Sequence, residues 1–169
     1  SQEFGFTFEE IENDNFKIDE KIEILLSSDS EKSTALSMSL GIAGFSSAFE
    51  NLKPDLLVVL GDRYEIFCAA VSAMIYNIPI AHLHGGESTE GSFDESIRHS
   101  ITKMSHLHFT STEAYRKRVI QLGEIPQKVF NVGAPGIDSI KALKLIDRNA
   151  LAESLGFDVS GSEIVVTYH

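Results

Sequence analysis

Acidic, basic and imidazole side chains crowd into two short stretches of this chain, each directly after an apolar run of strand length. The first is Gly61-Asp62-Arg63, an acid beside a base after the run at 56–60. The second is His82-Leu83-His84-Gly85-Gly86-Glu87, which closes the run at 78–83. Imidazole and carboxylate this close together suit proton transfer, with His84 and Glu87 as an acid–base couple near a leaving group. Residues two apart on a strand share a face, so His82 and His84 are expected to converge. With Glu87 they also carry the donor types of a zinc or manganese site, although no cysteine and no H-E-x-x-H pair accompanies them. Gly85 and Gly86 would let backbone approach a ligand. The plainer readings are that Asp62 caps the following helix and that both histidines are structural.

A third group is Asp94, Glu95, Arg98 and His99. Residues three and four apart share a helix face, so an ordinary surface ion pair is one reading. Because this helix follows the glycine turn, its first residues would also face the same crevice, a carboxylate as base and Arg98 on a phosphate. Neither G-x-G-x-x-G nor G-x-x-x-x-G-K-[ST] occurs, so dinucleotide and P-loop ATP binding lack motif support. His106 and His108 read as structural.

A strand–helix–strand unit must position these groups. The runs at 56–60 and 78–83 are short and apolar, and 64–76 carries Ile66, Phe67, Ala70, Val71, Met74 and Ile75 at helical spacing. In a βαβ crossover the strands are parallel and ligands bind beyond their carboxyl ends, where Asp62-Arg63 and residues 82–87 fall. Around that unit the pattern predicts a short helix after a Thr7/Glu10 capping box and a half-buried strand over 16–24. A helix over 33–52 follows, in which Gly41 and Gly44 allow close packing against the sheet. Beyond the unit come a helix over 93–104 opened by Ser92, a strand over 107–110, a helix over 112–122 capped by Thr112 and a strand over 128–132. Helices over 137–146 and 147–156 and a last strand over 163–168 complete an open parallel α/β sheet.

The bulk numbers fit one globular domain: 169 residues, 43% hydrophobic and 23% charged. A net charge of -11, from 25 acidic against 14 basic residues, argues against a broad nucleic-acid or anionic-membrane surface. Cys68 is the only cysteine, which excludes an internal disulfide and fits a reducing cytoplasm, with Cys68 as a packed small hydrophobe. No stretch approaches the ~20 apolar residues of a membrane helix. The chain begins with Ser1 and stops at His169 as a strand pattern ends, so both ends read as cut.

Taken together, LGDRYEI (60–66), IPIAHLHGGESTEG (78–91), FDESIRHSITKMSHLHF (93–109) and GAPGID (133–138) resemble the hydrolysing UDP-N-acetylglucosamine 2-epimerases of sialic acid synthesis. The wider family includes non-hydrolysing epimerases and epimerases of UDP-diacetylbacillosamine. The resemblance implies one half of a two-domain glycosyltransferase-B-like fold, a Rossmann-like parallel sheet with helices on both faces. It implies that residues 1–160 are the N-terminal domain without its first strand-helix unit, and 161–169 the first strand of a C-terminal UDP-binding domain. It further implies a UDP-sugar substrate, no cofactor and no metal, a cytoplasmic homodimer or homotetramer, and inactivity of this stretch alone. By position it assigns Asp62, His84, Glu87, Asp94 and Glu95 to catalysis, with His84 where many relatives carry glutamate. Arg63, Gly85, Gly86, Arg98 and His169 then bind substrate. The expected reaction is elimination of UDP from UDP-N-acetylglucosamine and water addition to give N-acetylmannosamine. Its rivals are the diacetylbacillosamine substrate, a metal-dependent hydrolase on His82, His84 and Glu87, and a non-catalytic oligomerisation or sugar-nucleotide-sensing module.

Overall fold

The computed structural model describes residues 8–24, 26, 30–89, 91, 93–159 and 161–167. Its contacts divide the chain into two compact units, residues 1–134 and 135–169. In the first unit four strands, β1 (Leu57–Leu60), β2 (Ile80–Leu83), β3 (Leu107–Thr110) and β4 (Val129–Asn131), form a parallel sheet in sequential order. This is the expected α/β architecture. The register aligns Val59, His82, His108 and Val129 across the sheet, and all four are buried. Side chains alternate along a strand. The intervening residues Val58, Leu60 and Phe130 are accordingly on the other face, where they are exposed.

Helices α3 (Tyr64–Ile75), α4 (Asp94–Met104) and α5 (Glu113–Gln121) connect successive strands and pack on them. Thr112 caps α5 as expected, its hydroxyl accepting the Tyr115 N–H at 3.3 Å. Ser92, the expected cap of α4, and Thr7 lie outside the described residues. The core consists of Phe49, Val59, Ala70, Ala73, Ile78, Ile80, Ile97 and Ile101, drawn from β1, β2, the Ile78 approach to β2, and helices α2 (Glu31–Leu52), α3 and α4. Helix α2 starts two residues before the expected 33 because Ser30 caps it, accepting the Ser33 N–H at 3.2 Å. Ahead of it, α1 (Phe8–Asn13) is the short helix the acidic, aromatic stretch predicts.

The predicted strand over 16–24 is not a strand. Its alternation is used differently, with Ile22 and Ile24 packing on α2 where Gly44 and Gly41 leave room. A Cβ on Gly44 would lie 2.3 Å from Ile22 Cγ2, and one on Gly41 3.1 Å from Cys68 Sγ. The two glycines therefore admit this segment and α3 rather than the sheet. Cys68 is fully buried, and burial pushes its thiol up, as befits a packed residue.

In the second unit, α6 (Pro135–Ala142) begins earlier than expected because proline, with fixed φ and no N–H, suits the first helical position. Asp147 caps α7 (Arg148–Leu155) by accepting from the N–H groups of Asn149 and Ala150 at 2.9 and 3.0 Å. The predicted last strand is absent over 163–167, where Ile164, Val165 and Val166 are exposed and no strand among the described residues supplies a ladder. Tyr168 lies outside the described residues.

Ile101 has no exposed surface and sits where α4 meets the sheet core. Ile101→Ala is expected to lower the unfolding free energy by about 2–5 kcal/mol. Urea titration reads this directly, and a loss below about 1 kcal/mol would contradict the packing described.

Candidate active site

The carboxyl ends of β1, β2 and β3 bring together most of the residues whose types promised chemistry. After β1 the chain turns at Gly61, whose φ of +86° places it in the left-handed region glycine favours. Asp62 does not cap α3: the N-cap position is Arg63, with no side-chain cap. The Asp62 carboxylate instead accepts a hydrogen bond from Nη2 of Arg98, four residues into α4. The same Nη2 donates to Thr89 Oγ1 at 3.0 Å. Arg98 is 6% exposed, and its Nε and Nη1 are buried without a hydrogen-bond partner among the described residues. Two unanswered donors on a buried cation are hydrogen-bonding capacity that the described residues leave unused.

Below this pair lies His82, fully buried. Its Nε2 donates to Gly61 O at 2.8 Å, and its Nδ1 lies 3.3 Å from Thr102 Oγ1, one turn after Arg98 on α4. Burial lowers its pKa to about 4, with Gly61 O opposing the shift and His108, Arg98 and His84 adding to it. His82 thus ties the β1 turn to α4 as a neutral ring. The plainer reading holds for it, and for His106 and His108 as well. His106 Nδ1 accepts the Ile80 N–H at 3.2 Å, and His108 Nε2 bonds Glu124 at 3.2 Å.

His82 and His84 do not converge. His84 lies one residue past β2 with φ +64°, and this left-handed backbone breaks the period-two alternation that predicted a shared face. Its Nδ1 lies 2.8 Å from Glu87 Oε1. Ser111, just past the end of β3, donates to the same Oε1 at 2.7 Å. Burial would raise the Glu87 pKa, but the Ser111 and His84 hydrogen bonds and nearby positive charge, Arg98 included, leave it lowered. Among the described residues no group of three or more His, Cys, Asp or Glu side chains is placed to hold a metal ion.

The glycine pair has a packing role. A Cβ on Gly86, with φ +79°, would lie 2.5 Å from Tyr115 O, and one on Gly85 3.1 Å from His82 Nδ1. Arg118 of α5 donates to Gly86 O. The glycines therefore let the loop press onto α5 and over His82. At the start of α4, Glu95 accepts from Ser88 Oγ at 3.2 Å and lies 3.6 Å from His99 Nε2. Arg63, the first residue after Asp62, turns outward to Glu65 at 3.3 Å, and Asp94 lies close enough to help raise its pKa. His169 lies outside the described residues. Ser111 and Thr89 escaped the sequence reading; Ser111 was findable from its place after a strand's carboxyl end, whereas Thr89 had no such marker.

A family model described as UDP-N-acetylglucosamine 2-epimerase matches residues 1–169. The GDP/UDP-N,N'-diacetylbacillosamine 2-epimerase (hydrolyzing) of Campylobacter jejuni is 48% identical over the whole chain, which covers 44% of that protein. The polysialic acid biosynthesis protein P7 of Escherichia coli is 46% identical over 98% of the chain and 42% of its own length. The chain thus spans less than half of these relatives. The crystal structure of UDP-GlcNAc 2-epimerase from Neisseria meningitidis bound to UDP-GlcNAc matches with a TM-score of 0.73 at 24% identity, over 86% of this chain and 40% of that one. The Methanocaldococcus jannaschii UDP-GlcNAc 2-epimerase in complex with UDP-GlcNAc and UDP matches at 0.72 and 21%, over 85% and 41%. The fold is the Rossmann-like, glycosyltransferase-B-like one that the sequence motifs implied.

His82 supplies a pH test of the buried network. Its folded pKa lies below the ordinary 6.5, so the unfolded chain takes up a proton that the folded one refuses. Stability is fully present above pH 6.5 and falls as the pH drops from 6.5 towards about 4. The loss approaches about 3 kcal/mol. Urea unfolding between pH 7 and 4 should show it, and His82→Gln, which keeps a donor for Gly61 O, should flatten that part of the profile.

Proposed function

The chain belongs to the UDP-N-acetylglucosamine 2-epimerase family, and from that membership we propose that its enzyme is a hydrolysing 2-epimerase of a 2-acetamido UDP-sugar. A base removes the C2 proton, the electron pair forms the C1–C2 double bond, and the C1–O bond breaks with its pair leaving on UDP. Water then adds across the double bond, its oxygen to C1 and a proton to the opposite face of C2, which inverts that carbon. For UDP-N-acetylglucosamine the product is N-acetylmannosamine.

The observation that carries this reading is the Arg98 guanidinium, buried beside the Asp62 carboxylate with Nε and Nη1 unanswered among the described residues. A diphosphate supplies the oxygens such donors need, and a planar, permanently charged guanidinium suits it. Asp62, Glu87, Asp94 and Glu95 provide the carboxylates for proton transfer and water placement, while Arg98, His84 and His169 serve the phosphates or the acid role. The rest of the UDP site belongs to a second domain, so residues 1–169 alone are inactive. Assembly as a cytoplasmic dimer or tetramer belongs to the same reading.

The sugar has a finer assignment. Relatives 48% and 40% identical to this chain are named as diacetylbacillosamine 2-epimerases, whereas a UDP-N-acetylglucosamine 2-epimerase of Neisseria meningitidis is 28% identical. Against a 46%-identical relative named for polysialic acid biosynthesis, the two diacetylbacillosamine names favour the substrate with a second acetamido group, at C4, over UDP-N-acetylglucosamine.

Proton NMR of the complete enzyme in heavy water, with chelator present, tests the whole scheme. UDP and a 2-epimerised sugar deuterated at C2 should appear from one or both nucleotide sugars, at a rate the chelator leaves unchanged, with the 4-acetamido sugar giving the higher kcat/KM. Asp62→Asn and Asp94→Asn should each lower kcat by roughly 100-fold or more. Near wild-type turnover by both variants would sink the assignment.

A further inference from the structure

We propose that Nε2 of His84 is the proton-carrying atom at C1 in this reaction, and that Glu87 and Ser111 are positioning residues that hold its ring. The proposal rests on the elimination reading above, assigns the step at the departing oxygen to His84, and narrows Glu87 from proton transfer to holding the ring.

Three observations converge on His84. Its backbone has φ +64°, a left-handed conformation that is strained for a non-glycine residue. That conformation is pinned from both sides, by the His84 N–H bonded to Phe109 O at 2.9 Å and by the ring bonded to Glu87 at 2.8 Å. An ionised Glu87 accepts from Nδ1–H, which fixes the proton there and leaves Nε2 as the working nitrogen. Nε2 has no hydrogen-bond partner among the described residues, and the side chain is 24% exposed.

The other described histidines differ. His82 and His108 are buried, with ring nitrogens spent on Gly61 O and Glu124, and His106 accepts a backbone N–H. His99 turns Nε2 towards Glu95 and has Nδ1 buried.

The order of the three groups decides their roles. Ser111 gives its hydroxyl proton to Glu87 Oε1, the oxygen that also accepts from His84. The carboxylate lies between serine and imidazole, so Ser111 bonds the carboxylate and not the ring, unlike the serine of a serine–histidine couple. Two donors on one oxygen fix the carboxylate plane, and the fixed carboxylate fixes the ring.

In the first half-reaction a carboxylate takes the C2 proton, the C1–O pair leaves on the UDP oxygen, and the protonated His84 ring gives that oxygen its Nε2 proton. In the second, water oxygen bonds to C1, the double-bond pair takes a proton at C2 from an acid on the opposite face, and the remaining water proton goes to Nε2. His84 ends as it began. The base that gained a proton and the acid that lost one are reset by exchange with solvent.

The test uses the complete enzyme and the sugar nucleotide it turns over. His84→Gly suits the left-handed backbone at this position, so the fold is kept. Its kcat should fall by roughly 100-fold or more with KM within about threefold, and added imidazole should restore at least about tenfold. Ser111→Ala should lower kcat by about tenfold at unchanged KM, with Ser111→Thr recovering most of it. Wild-type-like turnover by His84→Gly, or a loss that imidazole does not relieve, overturns the assignment, and an unchanged kcat in Ser111→Ala overturns the positioning role. A wild-type enzyme that eliminates UDP from neither sugar nucleotide refutes the epimerase reading itself, which separates the two failures.

Discussion

Arg98 is held almost entirely out of water, and that one buried charge sets the geometry around it. An ionised group in a low-dielectric setting must be paired, because its desolvation is worth several kcal/mol. The pairing comes from Asp62 at the end of β1 and Thr89 in the loop after β2, so a single guanidinium on α4 ties three segments far apart in sequence. His82 reinforces the same junction from below, linking Gly61 O to Thr102. Neither tie depends on the exposed surface, where ion pairs contribute little. The two orphaned nitrogens show that the pairing is incomplete within the described chain.

At a net charge of -11 the chain repels anionic ligands at long range. An anion at Arg98 would be held by short-range contacts in a site poor in water, where each charge-assisted hydrogen bond counts for more than at the surface. Arg98 supplies that locally, and Glu87 feels its charge, which helps keep a partly buried carboxylate ionised. The Asp62–Arg98 and Glu87–His84 pairs are therefore coupled parts of one site.

Strands β1, β2 and β3 and the helices between them were legible because a buried parallel strand writes itself as a short apolar run and a covering helix as a 3.6-residue period. Two expected strands failed for one reason: alternation over 16–24 and the apolar run at 163–168 describe which side chains want burial, not which neighbour offers a ladder. Ile22 and Ile24 found burial on α2 through Gly44 and Gly41, and residues 164–166 found none among the described residues. The carboxylates, Arg98 and His84 were legible from their types and from the rule that ligands sit beyond strand ends. Partner choice was not. Asp62 had a nearby helix to cap and took a guanidinium 36 residues away instead, and Arg63 beside it turned out to Glu65. Thr89 and Ser111 are ordinary hydroxyls whose significance arises only once the loop folds over the sheet.

That loop shows how a local backbone exception does positional work. Had His84 continued the strand, alternation would have aimed its side chain to the same face as His82, into the helix-covered core. The left-handed residue redirects it to Glu87 while its N–H still extends the β2–β3 ladder to Phe109 O. The next two residues must then pass close over His82 and against Tyr115 O, where a side chain would collide, so both are glycine. Arg118 closes the path by holding Gly86 O. Each device answers the constraint the previous one creates, and the outcome is that Glu87 meets Ser111 from the neighbouring strand end. A carboxylate fixed in this way can orient an imidazole with little reorganisation at the moment of proton transfer.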